Sequence, residues 1–465
     1  MSHHRTIPTL VATAALLACG TAWSEPLSFE AAQQQLLQRS DRLAASRLAM
    51  ESAQQRREGV ERMGGPVVSL GAAAYRYNAT LDVDLGPAAS ALPGILSQLP
   101  PALARPIAQL PHLPPSYTLQ RQKSDATASI SGVWPLYTGG AADAARALAD
   151  AHTREAEADA RQTGDEATTV LVQRYFGAQL AERAAQLREA ALRTIEQHDA
   201  AAQKMLDAGV IARVDRLQAR SALEEARRNA RKARDDAELS ATALTRTLKA
   251  SEVVQPTSPL FVWSQPLPAL TQFTDAALAR HPGLAKVTAR KGQAEQLHAA
   301  QEALRKPQVF AFGQRQLQSG SQADWMAGVG MRWTLWDAVD RDALARATQR
   351  QIDQAERTGA QAQSDIALLV EKRWMAVEQA RRQFFALQPG AELADEVLRL
   401  RVAGLKAGTS TALELIDAQV NQAKAQTERA QAAHDYVKAL AELLESCGLS
   451  DEFGNYMARA DVKVD

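Results

Sequence analysis

Two acidic residues three positions apart hold the clearest chemical promise in this sequence. Glu414 and Asp417 lie in Ala407-Gly-Thr-Ser-Thr-Ala-Leu-Glu-Leu-Ile-Asp-Ala418. The segment reads as a glycine turn followed by a helix start, and i, i+3 spacing puts both carboxylates on one face. Acids in the first turns of a helix also stabilise it through its dipole, a second role open to the same pair. No constellation for catalysis competes with them. The eight histidines (3, 4, 112, 152, 198, 281, 298 and 434) make no metal-ligand spacing, and the sequence holds no nucleophile elbow, phosphate loop or zinc signature. Asp82 and Asp84 could bind a cation, but two neighbouring loop carboxylates are ordinarily solvated. The reading is of a protein that is no enzyme and carries no cofactor or metal.

The elements that position the acids are written twice. Trp134-Pro-Leu-Tyr-Thr-Gly-Gly opens a helix-like run of about 70 residues that turns at Asp207-Ala-Gly209. Trp333-Thr-Leu-Trp-Asp-Ala-Val opens a second run that turns at Lys406-Ala-Gly408. An offset of 199 relates Trp134 to Trp333, Tyr137 to Trp336, Tyr175 to Trp374 and Gly209 to Gly408. A repeat this long, held in register, is one structural unit used twice. The first-repeat counterparts of Glu414 and Asp417 are Asp215 and Gln218, with Arg213 beside them.

Upstream, Phe29 to Arg62 reads as one helix, and Pro66 to Tyr77 as a strand with Val68, Leu70, Ala72 and Ala74 on one face. Residues 78–121 hold eight prolines and read as an irregular, dispensable loop. Ala126 to Tyr137 returns as a strand with Ile130 and Trp134 opposite Thr127, Ser129 and Ser131, a pattern suited to a barrel wall between lipid and water. Helices follow at about 140–206 and 214–248. The second half repeats the plan at an offset of 241, relating Leu43 to Leu284, Pro66 to Pro307 and Val68 to Val309. It gives a helix over 270–304 and strands over 309–316 and 326–336. The domains are then a first repeat, 25–255, a linker, 256–268, a second repeat, 269–448, and a tail, 449–465.

His3, His4 and Arg5 precede an apolar run from Ile7 to Cys19 and small residues at Ala22 and Ser24, an export signal over 1–24. Cys19 loosely fits a lipoprotein box, with cleavage after Ser24 as the alternative. No later stretch offers the 18 or so apolar residues of a membrane helix, so only a β-barrel remains for crossing a bilayer. Each long helix spans about 105 Å at 1.5 Å per residue. The chain enters its first helix near mid-height of that length, and the ten or so residues from Cys19 reach at most about 35 Å, which favours cleavage near Ser24. Net charge is zero and aromatic content 5%, which points to long helices packed through small residues and gives no electrostatic case for nucleic acid. Four strands cannot close a barrel, so two, three or four copies must combine.

The tandem repeat, the Trp-Pro-Leu-Tyr-Thr-Gly-Gly strand exit and the 407–418 segment together resemble the TolC family of outer-membrane efflux proteins. The resemblance implies a mainly α fold with a membrane β-barrel: a homotrimer with a 12-stranded barrel continuous with a 12-helix periplasmic tunnel. It implies work with a periplasmic adaptor and an inner-membrane pump of RND or ABC type, in efflux or type I secretion, with outer-membrane lipid around the barrel. Glu414 and Asp417 match the family's ring of acids at the closed periplasmic entrance. The usual latch positions hold Leu405 and Ser410, so a pair of Arg213 with Asp215 or Glu414 stands in as the substitute. Trp134, Tyr137, Trp333 and Trp336 read as an aromatic girdle, or as core aromatics where barrel meets tunnel. Two other readings are an exported coiled-coil adhesive protein, which would not need the four strands, and a diffusion porin, which would lack the helices.

Overall fold

A computed structural model describes residues 25–97, 100, 116–317 and 324–464. The expected signal at 1–24, and with it Cys19, lies outside these. In chain order, β1 (Glu25–Leu27), α1 (Phe29–Arg39) and α2 (Asp41–Glu61) precede β2 (Val67–Asp84), α3 (Gly86–Leu96) and β3 (Ser116–Tyr137). Helices α4 (Ala141–Asp207) and α5 (Arg213–Leu248) complete the first repeat, and β4 (Val254–Pro256) and β5 (Leu260–Val262) follow. The second repeat runs α6 (Leu270–Arg280), α7 (Pro282–Ala303), β6 (Gln308–Gln316), β7 (Trp325–Arg332), α8 (Arg341–Lys406) and α9 (Ala412–Ser446). A single 3-10 turn, α10 (Phe453–Ala458) and β8 (Val462–Val464) end the described chain. These residues sort into two compact units, one of helices and short strands, the other built on the four long strands.

The helical unit corrects two expected boundaries in the same way. The helix read over 29–62 breaks at Ser40, which is extended at φ −72° and ψ 119°. Its Oγ accepts from the Leu43 amide at 3.4 Å and so starts α2. The helix read over 270–304 breaks at the repeat-equivalent His281, φ −59° and ψ 122°. There Pro282 disfavours a helical residue before it and suits the first position of α7.

The expected linker and tail are also structured. β1 pairs in parallel with β4, and β5 pairs antiparallel with β8. Phe453, read as tail, is 1% exposed and packs its ring 5.0 Å from Phe29 and 5.9 Å from Phe261. The repeat-equivalent aromatics Tyr175 and Trp374 fasten these segments. The Tyr175 hydroxyl donates to the Leu27 carbonyl at 2.7 Å and accepts from the Thr257 and Ser258 amides. The Trp374 indole donates to the Pro268 carbonyl at 3.0 Å. Glu378, 4% exposed, accepts from the Leu267 amide at 2.8 Å and from Arg381. These bonds satisfy the buried groups that they join where the connector crosses the core.

The strand unit is one antiparallel sheet in the order β2-β3-β6-β7. One face carries Val68, Leu70, Ala72, Ala74, Ile130, Trp134, Ala311, Val329 and Met331, and several of these are largely exposed. The other carries Ser69, Ser129, Ser131, Thr127 and Gln314, with the Ser69 and Ser131 hydroxyls bonded at 2.8 Å. The irregular loop expected over 78–121 is overturned on both flanks. β2 runs to Asp84 and β3 begins at Ser116, paired one to one. The prolines begin only at Pro87 and end at Pro115, so nothing in 78–84 or 116–121 blocks a ladder. β7 instead stops short, at Arg332, because its partner β6 begins at Gln308 and Pro307 has no amide to extend the pairing.

Candidate functional site

Both glycine turns are built alike. At the first, Gly209 has φ +72°, its amide reaches the Leu206 carbonyl at 2.9 Å, and the Val210 amide reaches Met205 at 2.8 Å. At the second, Gly408 has φ +73°, with Gly408 bonded to Leu405 at 3.2 Å and Thr409 to Gly404 at 2.8 Å. Each is a Schellman stop, in which a left-handed glycine satisfies the last helical carbonyls. The residues correspond at the 199 offset.

The helix starts beyond them differ. Thr411 Oγ1 accepts from the Glu414 amide at 3.2 Å, and the Glu414 carboxylate accepts from the Thr411 amide at 3.0 Å. This is a complete capping box. Its counterpart keeps one arm, the Ala212 amide donating to Asp215 at 3.2 Å, because alanine supplies no acceptor. Glu414 also meets Arg401 of α8 at 3.1 Å. The Thr411 amide first, and the Arg401 charge with it, hold the Glu414 carboxyl below the usual carboxylate range.

Among the described residues Arg401, and not the expected Arg213, pairs with Glu414. The first hairpin is tied by another unforeseen pair. Arg216 grips Asp199 through two bonds, 2.6 and 3.2 Å, and Gln203 at 2.7 Å. Opposite charges on the two sides of each glycine were the available signal. Arg213 and Asp215 are exposed at the tip.

Glu414 and Asp417 serve different neighbours. Glu414 faces Arg401, whereas exposed Asp417 borders a small cavity of about 110 Å³ shared with Arg188, Glu225 and Ile416. Ile416 is buried with Ile195, Ala202, Ala219 and Leu223, so α9 packs onto the α4–α5 hairpin.

Of the expected girdle, Trp134 and Tyr137 lie on β3, half exposed, beside a register irregularity at Pro135. Trp333 and Trp336 lie just past β7 instead of on it. The Trp333 indole donates to the Arg305 carbonyl at 3.0 Å, while Trp336 is 87% exposed.

An apolar-outside sheet of membrane-strand length, joined in the chain to helical hairpins of 67 and 66 residues on their first arms, defines a class: outer-membrane channel proteins with long helices. The chain belongs to the outer membrane efflux protein family, which its sequence matches over residues 32–248 and 274–449. Its fold is similar to that of the outer-membrane channel OprN, at 18% identity over 90% of this chain and 89% of that one, with a TM-score of 0.69. The Campylobacter jejuni CmeC outer membrane channel is 12% identical over 98% of each chain, at 0.72. The open-state Neisseria gonorrhoeae MtrE outer membrane channel is 18% identical over 91% and 89%, at 0.66. No curated protein matches the chain in sequence. The family is one of channels, and the chain is an outer-membrane exit channel of tripartite efflux, extending into the periplasm and partnered by an adaptor and an inner-membrane pump.

Proposed function

We propose that three copies of this chain close a single barrel of twelve strands above a tunnel of twelve helices. A pump of RND or ABC type delivers cargo to the glycine-turn end, for efflux or type I secretion. Glu414, Asp417 and Asp215 give that end a negative entrance, with Arg401 as the counter-charge that holds it shut. Trp134, Tyr137, Trp333 and Trp336 anchor the barrel at the periplasmic lipid boundary, where aromatic rings are favoured.

The observation that carries closure by copies is the pair of open edges, and three is the number that the family resemblance supplies. Among the described strands β2 and β7 each have one bonded neighbour, and the apolar face between them is exposed. A lipid-facing sheet edge leaves backbone groups unsatisfied where no water can reach them, so closure is obligatory. Light scattering of the protein in mild detergent is expected to give three times the chain mass. A stable monomer with full β-structure overturns the trimer.

For the entrance, planar-bilayer recordings of Glu414→Ala/Asp417→Ala are expected to show weaker cation preference and weaker block by multivalent cations from the periplasmic side. Wild-type ion preference and block in that variant would place the gate elsewhere.

A further inference from the structure

The first hairpin outgrows its sheet, and its chemistry turns over where it does so. Among the described residues β3 pairs with β6 over Ser129–Tyr137, while β2 and β3 stay paired out to Asp84 and Ser116. Above Ala74 and Ala126 the hairpin runs on for ten residue pairs with no third strand among the described residues. The level at which it departs is marked chemically. On the apolar face, Arg315 lies opposite Ile130 and Trp325 opposite Arg315, a cation and an indole of the kind that sit at a membrane interface. Tyr75 and everything beyond it lie further up the strand than that boundary.

Up to the level of Ala74 and Ala126, the face bearing Leu70, Ala72, Ala74, Ala128 and Ile130 is apolar, and the opposite face bears Ser69, Ser129, Ser131 and Thr127. Above it, the first face becomes Arg76, Asn78, Thr80, Asp82 and Asp84 against Ser124, Gln122, Gln120, Thr118 and Ser116. The second becomes Tyr75, Tyr77, Ala79, Leu81 and Val83, against Lys123, Arg121, Leu119 and Tyr117. No register shift interrupts β2 and β3, so no bulge has swapped the sides. The side that faces water inside the barrel is the side that turns apolar outside it. Leu81, Leu119 and Tyr117 are half or more exposed there, and Tyr75 and Tyr77 stack on each other, 6.3 Å apart.

A long isolated ribbon is marginal in water, and an apolar face on it calls for a partner. We propose that the partner is the same ribbon of the neighbouring copies. Symmetry supplies the argument: in a barrel closed by copies around an axis, every lumen-side face points at that axis, so these faces meet one another. The ribbons then form an apolar constriction over the outer mouth at Leu81, Val83, Tyr117 and Leu119, above a collar of Arg121 and Lys123. Their polar backs face the medium. Passage would be narrowed at the cell surface as well as at the periplasmic turns.

This inference rests on the trimer proposed above, and the test separates the two. Leu81→Cys and, as the control on the polar back, Thr80→Cys are oxidised mildly in detergent-solubilised protein whose mass is checked first; the native Cys447 is buried. The expected result is trimer mass for both, disulfide-linked protomers for Leu81→Cys, and loss of that link for Thr80→Cys. A second variant joins Ala74 to Ala126 through a two-residue turn, and its single-channel conductance is expected to rise. A monomer mass would sink the trimer itself. Trimer mass with no link at either position, or equal links at both, overturns the constriction and leaves the trimer standing. So does a Leu81→Cys thiol shielded from a hydrophilic maleimide without linking, which would mean that lipid or another protein covers the face. Unchanged conductance in the shortened variant overturns it as well.

Discussion

The two glycine turns share a backbone and differ in what clamps them. In the first hairpin the clamp is Arg216 on Asp199, with the two side chains only 13% and 14% exposed. In the second it is Arg401 on Glu414, at 41% and 44%, beside the tip. At the 199 offset, Asp199, Gln203 and Arg216 become Leu398, Val402 and Leu415, while Ala202 becomes Arg401. The first clamp therefore stands where the second repeat is apolar, and the second sets Arg401, at the place of Ala202, against the acid that the first repeat keeps as Asp215. The well-screened pair contributes little to stability and releases easily, whereas the shielded one holds its helices together. α8 also contains Pro389 where α4 has Ala190, which removes one helical hydrogen bond from the second hairpin alone. In the gate proposed above, the second hairpin is the one expected to move.

Breaking the shielded pair should have the largest effect. Asp199→Ala leaves the Arg216 charge with little water, and the loss is expected to be about 2 kcal/mol, allowing for its partial exposure. Hydrogen exchange should quicken at the ends of α4 and α5 and not at those of α8 and α9. Equal quickening in both hairpins would erase the contrast. Asp199→Leu with Arg216→Leu, which copies the second repeat, should recover most of the loss.

The turns themselves should respond equally. Gly209→Ala and Gly408→Ala each force alanine to a positive φ and should cost about 1 kcal/mol apiece, read from urea unfolding of each variant. Unequal costs would mean that one turn is held by something beyond its own backbone. The caps should then differ in sign: Thr411→Ala should lose, and Ala212→Thr gain, up to about 1 kcal/mol, by the same measurement.

The exposed pair should alter stability least and gating most. Glu414 is held below its ordinary pKa, so whatever its pairing contributes is present above that ordinary value and is lost as pH falls through the depressed one. Conductance should therefore rise on acidification of the periplasmic side, and Arg401→Ala should conduct at neutral pH as the wild type does in acid. Acid-insensitive conductance in the wild type would remove Arg401 and Glu414 from the gate.

Much of this was legible in the sequence. Gly209 and Gly408 announce themselves because only a left-handed residue ends such helices cleanly, and the repeat offset fixes their correspondence. The membrane face was readable because Ile130 and Trp134 alternate with Ser129 and Ser131. Ser40 was not readable, since serine is tolerated within helices; its equivalent His281 was, through the proline behind it. The strand extension to Asp84 was hidden by reading eight nearby prolines as one block. Phe453 looked like tail because a few apolar residues near a chain end carry no periodicity. For Arg401 and Asp199 the sequence offered only opposite charges on the two sides of each glycine, because which of them meet across a hairpin depends on the rotation of two helices, and composition does not encode that.

The pairing of β5 with β8 and of β1 with β4 sets an order of events in time. Every helical hairpin here is local in sequence and can zip as soon as its two arms have emerged into the periplasm. The sheets that clasp the core join residues about two hundred positions apart, and contacts so distant form slowly. The exported chain passes through an interval in which its arms are formed but Phe29, Phe176 and Phe261 still lack the cover of Phe453. A chain cut before β8 is expected to form its helical arms and leave β5 without its strand partner.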